Sequence, residues 1–342
     1  MTTGSARAAD TAGTAEDTTR GAGRRRRLAG VLAWTAVTPF ALWTLLRLLP
    51  ADVHLRWVQL IAFTPYVALA SAVAPLVALA ARRRVALAAG LAVTATLATC
   101  VAPRVLPESG PEAGGPALRV LSANLLMGSV PGDALAELVR KVHPDVLALQ
   151  EVTPAAVKSL REAGLPALLP YAMERAMKGV GGSALYARYP LEADKAIEFG
   201  GFRQIAATMA VPGAGTIRVM SVHPCAPRYQ ARLGCWADGL AALPLPGGDV
   251  RILAGDFNAT LDHARIRRLL GGGYRDAADA AGEGLAGTWP YRPWRFDGLA
   301  VPPVTIDHIM ADPRVAVRSY EVHPLPLTDH RAISAELTLP RG

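Results

Sequence analysis

Cysteine is scarce in this chain: three in 342 residues, with no CxxC pair and no Cys/His spacing of the zinc-binding kind. A structural zinc site is therefore not expected, and any disulfide framework is limited to one bond. Acidic residues are almost missing from 28–102, where Asp52 is the lone carboxylate among apolar residues and arginines. Excess positive charge is missing from the part that reads as soluble: 117–342 holds 24 Lys+Arg against 22 Asp+Glu. The +8 of the whole chain comes mainly from 1–116, with 12 Lys+Arg against 6 Asp+Glu. A basic balance confined to the flanks of apolar segments is not the footprint of a nucleic-acid-binding surface. No internal repeat is visible.

What 28–102 does contain is three long apolar stretches, at about 28–50, 57–81 and 85–102. Crossing a hydrocarbon core takes roughly 20 apolar residues, so all three are expected to be transmembrane helices, the third with least margin. The first is too long for a cleaved signal peptide, and two more follow it. None shows the polar face that a helix buried in a soluble domain would present. Arg24–Arg27 precede the first stretch and Arg82–Arg84 join the second to the third, whereas the other side carries Arg56 and Arg104, with Arg47 near that end. The positive-inside rule then puts the N-terminus in the cytoplasm and everything after the third helix outside. Residues 1–27 read as a disordered cytoplasmic tail, 28–102 as the membrane region, and the Pro/Gly-rich 103–116 as a linker. A catalytic domain is expected over 117–342.

Within that domain, short apolar runs predict strands at 118–123, 146–150, 183–187, 205–211, 217–222, 250–254, 305–310 and 332–337. Helical periodicity predicts helices at 133–142, 154–162, 229–240 and 264–270. Strands separated by helices alternate with strands that are near neighbours. The mixture suits a two-sheet α/β sandwich better than a purely parallel sheet.

Polar residues recur where those strands end. Asn124 closes VLSAN, Glu151 closes VLALQE, His223 closes VMSVH, and Asp256 and Asn258 lie in GDFN. Asp307 lies in TIDHIM, and Asp329 and His330 lie in LTDHR ahead of the last strand. Strand ends on a rigid sheet are where catalytic groups are commonly displayed, although any one such residue is more often a turn former. His308 follows Asp307, so strand alternation points it away from its neighbour's face.

Taken in order over about 118–339, the Asn of the first strand, QE, GGSALYARYP, a strand-end His, GDFN, DHI and a final DH resemble the endonuclease/exonuclease/phosphatase superfamily. That resemblance implies a DNase I-like fold and hydrolysis of phosphoesters with Mg²⁺ or Mn²⁺. It implies Glu151 as principal metal ligand, with Asn124 beside it and Asp329 near the same or a second ion. His330 then resembles the base or phosphate-orienting histidine, held by Asp307. Asp256 and Asn258 resemble the pair that positions the attacking water, and His223 the histidine that contacts phosphate or protonates the leaving group. Two departures touch the substrate side: SANLLMG lacks the aromatic residue often found beside that Asn, and Pro-Cys follows His223.

The N-terminal spans make the lipid bilayer a partner and a phosphorylated envelope lipid, such as a polyprenyl pyrophosphate, the expected substrate. The same arrangement resembles the actinobacterial teicoplanin-resistance proteins of the VanJ type within that superfamily, which implies a link to glycopeptide resistance. A surface-tethered nuclease acting on nucleic acid, a sphingomyelinase-like phospholipid phosphodiesterase and a non-catalytic envelope-binding protein are the alternatives. Two further features stand out. TWPYRPWRF, at 288–296, is dense in aromatics with two arginines and reads as a rim for headgroups or substrate, or as loop packing. Cys225 and Cys235 are placed to clamp the loop after His223 if they pair in an oxidising compartment.

Overall fold

The computed structural model describes residues 6–296 and 298–342. It divides into two compact units, one of Met1–Leu49 with Thr64–Val101, the other of Pro50–Phe63 with Ala102–Gly342.

The first unit is helical. It contains α1 (Ala6–Leu48); after α2 (Leu55–Ile61), which belongs to the other unit, come α3 (Thr64–Ala70), α4 (Val73–Ala80) and α5 (Arg84–Val101). Small side chains set the packing: Ala33 and Val37 of α1, Ala74 and Ala78 of α4 and Ala86 of α5 are buried together. A Cβ on Gly90 would come within 3.0 Å of the Pro75 nitrogen, so α4 and α5 meet where only glycine fits. Close approach at small residues is how helices associate where no hydrophobic driving force separates them from lipid. Thr94 of α5 donates to the carbonyl of Ser71, in the turn after α3, at 3.0 Å, and the two hydroxyls meet at 3.2 Å.

Two helices, Gly23–Leu48 and Arg84–Val105, are long and apolar enough to cross a membrane. The bent pair of α2 and Thr64–Ala80 makes a third crossing when taken as one broken span, so the stretch expected as one helix over 57–81 is broken in two. Its first part is α2, whose Leu55, Trp57, Val58 and Ile61 are buried, with Val58 in the core of the second unit. The helix α1 also takes in most of the stretch expected as an irregular tail; residues 1–5 of that expectation lie outside the described residues.

The second unit opens with a 3₁₀ turn (Ala102–Val105), β1 (Ala117–Asn124), α6 (Gly132–Val142) and β2 (Val146–Gln150). There follow α7 (Pro154–Glu162), α8 (Leu165–Leu168), β3 (Tyr171–Arg175), β4 (Ser183–Ala187) and β5 (Glu192–Phe199). Next come β6 (Phe202–Val211), β7 (Gly215–Val222), α9 (Gln230–Ala241), β8 (Val250–Asp256) and α10 (Ala264–Gly271). The chain ends with β9 (Arg275–Asp276), α11 (Ala277–Ala280), β10 (Arg295–Phe296), β11 (Leu299–Ala300), β12 (Asp307–Ala311), β13 (Ala316–Pro324) and β14 (Arg331–Thr338).

Two six-stranded mixed sheets form, ordered β13-β14-β1-β2-β4-β3 and β5-β6-β7-β8-β12-β9. Strand alternation fills both of their faces. Leu118, Val120, Val146 and Ala148 point inward to meet Ile217, Val219, Ile252 and Ala254 of the other sheet. Leu121, Ala123, Leu147 and Leu149 point outward under α6, α7 and α8. On the far side Met220 and Leu253 pack under Trp236 of α9 and Ile266 and Leu269 of α10. The result is the expected two-sheet α/β sandwich, with helices on both outer faces.

Three segments that read as peripheral are built into this unit. Asp52, its side chain fully buried, accepts from the Ala264 and Arg265 backbone amides at 2.9 and 3.2 Å and so caps α10. His263 Nε2 meets the Val58 carbonyl at 2.8 Å, and Gln59 donates to the Pro227 carbonyl at 3.0 Å. The expected linker is also fixed. Arg104 forms a buried two-pronged ion pair with Asp262 at 2.8 and 2.9 Å, and the Glu108 and Gly115 amides donate to Ala280 and Leu339.

Candidate active site

The topology gathers the polar strand ends at one edge. In the first sheet β1 and β2 run parallel, so Asn124 and Gln150 stand side by side with Glu151 next. In the second sheet β7 and β8 run parallel, bringing His223 and Asp256 to their shared C-terminal edge. The antiparallel strands supply their beginnings to the same edge: Asp307 opens β12 opposite Asp256, and His330 immediately precedes β14, which pairs with β1. Gln150 donates to Ser221 at 3.0 Å, and Ser221 donates to the Leu149 carbonyl at 3.0 Å, tying the two sheets together beneath the site.

Asn124 organises the acidic centre. Its amide nitrogen donates to Glu151 Oε1 at 3.2 Å and to Asp256 Oδ2 at 3.0 Å, while its oxygen accepts from the Leu126 amide at 2.9 Å. Two carboxylates are thus held apart by one neutral side chain. Glu151 Oε2 accepts from the Met127 amide at 2.8 Å. Glu151 and Asn258 both adopt left-handed backbone conformations, φ +56° and +49°, uncommon for residues with a Cβ. Such conformations persist where surrounding contacts over-determine them. Asn258 closes the GDFN turn: its backbone amide donates to Asp256 at 2.8 Å, and its side chain donates to the Pro224 carbonyl at 3.2 Å.

The second cluster is an imidazole held by carboxylates. His330 Nδ1 lies 2.9 and 3.2 Å from the two oxygens of Asp307, and Nε2 lies 3.7 Å from Asp256 and 3.9 Å from Asp329. Thr328 donates to the Asn124 carbonyl at 3.0 Å and accepts from the His330 amide at 3.2 Å, fixing the loop to β1. His223 Nε2 stands 3.6 Å from Asp256 and 3.8 Å from Glu151, with its ring edge-on to Phe202.

These environments drive the ionisable groups apart. Burial alone would lower the His330 pKa, but the Asp307 and Asp256 carboxylates overcome it and raise it to about 10. Burial, with the His330 charge, pushes His223 down to about 3. Burial pushes the Asp256 carboxyl up to about 7. Glu151 is raised as well, by burial against the hydrogen bonds from Met127 and Asn124. Of two histidines within reach of one carboxylate, His330 is therefore held in the charged form and His223 in the neutral form, a pattern that separates acid from base roles.

The donor set fits a hard divalent cation. Asp256, Asp307 and His330 offer ligand atoms within 4.8 Å of one another. The buried Asp329 Oδ1 has no hydrogen-bond partner among the described residues, which leaves an anionic oxygen facing the cluster. Glu151 and Asp256, both raised by burial, are carboxylates that a cation would recharge.

All eight residues singled out from the sequence stand at this edge, Asn258 through its backbone and side-chain contacts to Asp256. His308 is elsewhere, as strand alternation predicts: it binds Asp276 and the Ala259 carbonyl, each at 2.9 Å, on the other face of β12. Sequence reading missed Thr288 and Trp289. Thr288 Oγ1 accepts from the Ile306 and Asp307 amides, and Trp289 Nε1 donates to Asp329 Oδ2 at 2.9 Å. The available signal was the aromatic segment itself, which gave no partner. Cys225 and Cys235 are disulfide-bonded, fixing the loop after His223 to α9.

Sheet order and strand-edge site define a DNase I-like α/β sandwich. Residues 121–330 match the Endonuclease/Exonuclease/phosphatase family, and the chain belongs to it. Members of that family are hydrolases acting on phosphoester bonds, typically with a divalent metal. Among solved structures, the chain is similar to an endonuclease/exonuclease/phosphatase from Beutenbergia cavernae DSM 12333: TM-score 0.52, 18% identity, covering 66% of this chain and 72% of that one. It is also similar to D. rerio TDP2 complexed with a single-strand DNA product: TM-score 0.50, 18% identity, covering 65% and 98%. At these identities the likeness establishes the fold. No curated protein matches the chain.

Proposed function

We propose that this protein is a membrane-anchored, Mg²⁺-dependent phosphoesterase that hydrolyses a phosphate or pyrophosphate of an envelope lipid on the extracytoplasmic side. One observation carries the reading: the chain leaves the catalytic unit at Phe63 and rejoins it at Ala102, and the stretch between is apolar helix. Pro50–Phe63 and 102–342 belong to one packed unit, so they share one side of the membrane. The chain then crosses an even number of times between them, with Arg82–Arg84 at the far turn. α1 makes one more crossing and places Arg24–Arg27 on that same far side. Both arginine clusters thus fall where positive charge is favoured, in the cytoplasm. The disulfide is consistent with an oxidising compartment. The link to teicoplanin resistance is part of this proposal and rests on the resemblance alone.

The residues divide the chemistry as follows. A divalent cation, when bound, neutralises phosphoryl charge; Glu151, Asn124 and Asp329 are the residues proposed to hold it. Asp307 engages Nδ1 of His330 on both carboxylate oxygens, which leaves Nε2 to face substrate. The charged His330 stabilises negative charge on a phosphoryl oxygen. Asp256, with its raised pKa, is suited to take a proton from the attacking water, oriented with the help of Asn258. His223, neutral, contacts the phosphate or leaving-group side.

The test is a side-by-side release assay with full-length protein in detergent, Mg²⁺ present, offering a lipid pyrophosphate, a phospholipid and DNA. Lipid phosphate release faster than DNA cleavage is expected; efficient DNA cleavage without lipid turnover overturns the reading. A tethered nuclease is the second reading, favoured by the likeness to a protein solved with a DNA product. The near balance of charge in 117–342 speaks against it.

A further inference from the structure

The aromatic segment after Thr288 is a hairpin whose base is fastened to the site. Trp289 pairs with Val304, the Val301 amide donates to the Trp294 carbonyl, and β10 pairs with β11. At the base, Trp289 holds Asp329 through its side chain and Thr288 receives the Asp307 amide. The Arg331 amide donates to the Thr288 carbonyl, so β14 is tied to the same base.

The outer part of the hairpin is built differently. Leu299 is 75% exposed and Trp294, which packs on Trp289 at 5.3 Å, is 41% exposed. Arg292 and Arg295, on either side of Trp294 in the sequence, are exposed. Two more apolar side chains stand out on neighbouring site loops: Leu327, two residues before Asp329, at 54%, and Met127, whose amide binds Glu151, at 51%. Both hold left-handed backbone conformations, φ +57° and +52°. Large apolar residues in a costly conformation, facing water around a polar site, are not explained by packing within the unit.

We propose that this hairpin, with Leu327 and Met127, is a docking surface for an anionic bilayer. Leu299 and Trp294 enter the headgroup layer, Arg292 and Arg295 pair with lipid phosphates, and the base keeps Asp329 and Asp307 in place at the docked surface. The occupant is argued from two features. The chain carries helices able to span a membrane, so the unit works beside a bilayer. The hairpin's sequence carries two arginines against one aspartate, Asp297, a net positive charge that complements anionic headgroups, and tryptophan favours the interfacial layer. The proposal rests on the reading that the substrate lies in the bilayer, and it names the surface that would bring the site to it.

The experiment uses the full chain with Cys100→Ser and Leu299→Cys, labelled with an environment-sensitive fluorophore and reconstituted in vesicles. A second label at Leu245→Cys, in the loop ahead of β8 and therefore at the opposite end of the strand from Asp256, is the control. Vesicles are phosphatidylcholine with or without phosphatidylglycerol, and headgroup-depth spin-labelled lipid is the quencher. Docking is expected to give blue-shifted emission and quenching at position 299, stronger with phosphatidylglycerol, and neither at 245. Replacing Arg292 or Arg295 by Gln is expected to lower the docked population in anionic vesicles by about fivefold for each. Water-like emission at 299 without quenching in both vesicles overturns the proposal, as does equal quenching at 299 and 245. No substrate is used, so docking without lipid turnover refutes the substrate reading alone, and lipid turnover with a water-exposed label refutes the docking alone.

Discussion

At Asn124 one amide separates two acids that would otherwise repel, and the behaviour of the whole site follows from such single contacts. Glu151→Gln keeps the shape around Asn124 and removes the charge proposed to hold Mg²⁺. Its activity is expected to fall and to recover in part as Mg²⁺ is raised in steady-state assays. His330→Ala removes the group held by Asp307, a loss of about 10²–10⁴-fold that added Mg²⁺ does not restore. Near-full turnover in a folded His330→Ala protein would show that this constellation is not catalytic.

The shifted groups also give the metal-free protein a pH dependence. His330 is raised from 6.5 to about 10 and Asp256 from 3.8 to about 7, so in both cases the folded state holds protons that the unfolded state has released. Stability from Asp256 is fully present below its unfolded value and lost as pH rises toward 7; that from His330 is lost between about 6.5 and 10. A cation held by Glu151, whose carboxyl burial also raises, would favour the deprotonated acids and offset this loss. Mg²⁺ is therefore expected to raise the melting temperature more at about pH 8 than at about pH 5.5. An equal shift at both would mean that metal does not engage the buried carboxylates.

Among the elements, what the sequence revealed depended on burial. The eight strands expected from apolar runs all formed, and helices 133–142, 154–162, 229–240 and 264–270 appeared within a residue of their expected bounds. The strands that were missed include β3, β5, β9 and β13, the four edges of the two large sheets. An edge strand is buried on less of its surface and keeps polar side chains that guard its free backbone, so EADKAIEF of β5 has no apolar run to detect. The short hairpin β10–β11 is exposed for the same lack of covering neighbours. α2 shows the converse. Trp57, Val58 and Ile61 were apolar enough to read as lipid-facing, yet they are buried in protein. Hydropathy reports the preference to leave water, not which apolar phase receives the side chain. The residue that betrayed α2's destination was Asp52, the lone acid in that region. Asp52→Ala removes the cap from α10 and is expected to cost about 1 kcal/mol, read as a lower melting temperature of the full chain in detergent. An unchanged melting temperature would mean that the cap is not formed.

For the molecule as a whole, the site was legible because its residues sit at the ends of central strands, where apolar run meets polar terminus. The contact of Trp289 with Asp329 was not, because it spans 40 residues of sequence, and Asp52 and Arg104 likewise reach Ala264 and Asp262 across long stretches. The topology drawn from the arginines predicts that a reporter active only outside the cytoplasm functions when fused after Gly342. Activity of a cytoplasm-only reporter at that position would reverse the orientation and remove the envelope-lipid substrate from reach.

The docking of Pro50–Phe63 also bears on how such an enzyme can be shed. A protease that cuts the exposed stretch around Gly110 severs the covalent link between the catalytic unit and α5. The freed fragment still grips Asp52, Val58 and Gln59, covalently joined to α1, and Arg104 and Glu108, covalently joined to α5. In the proposed topology the enzyme is thus held to its membrane by peptide bonds and by contacts on both sides of such a cut. In that topology, release into the medium requires both the cut and the loss of these contacts.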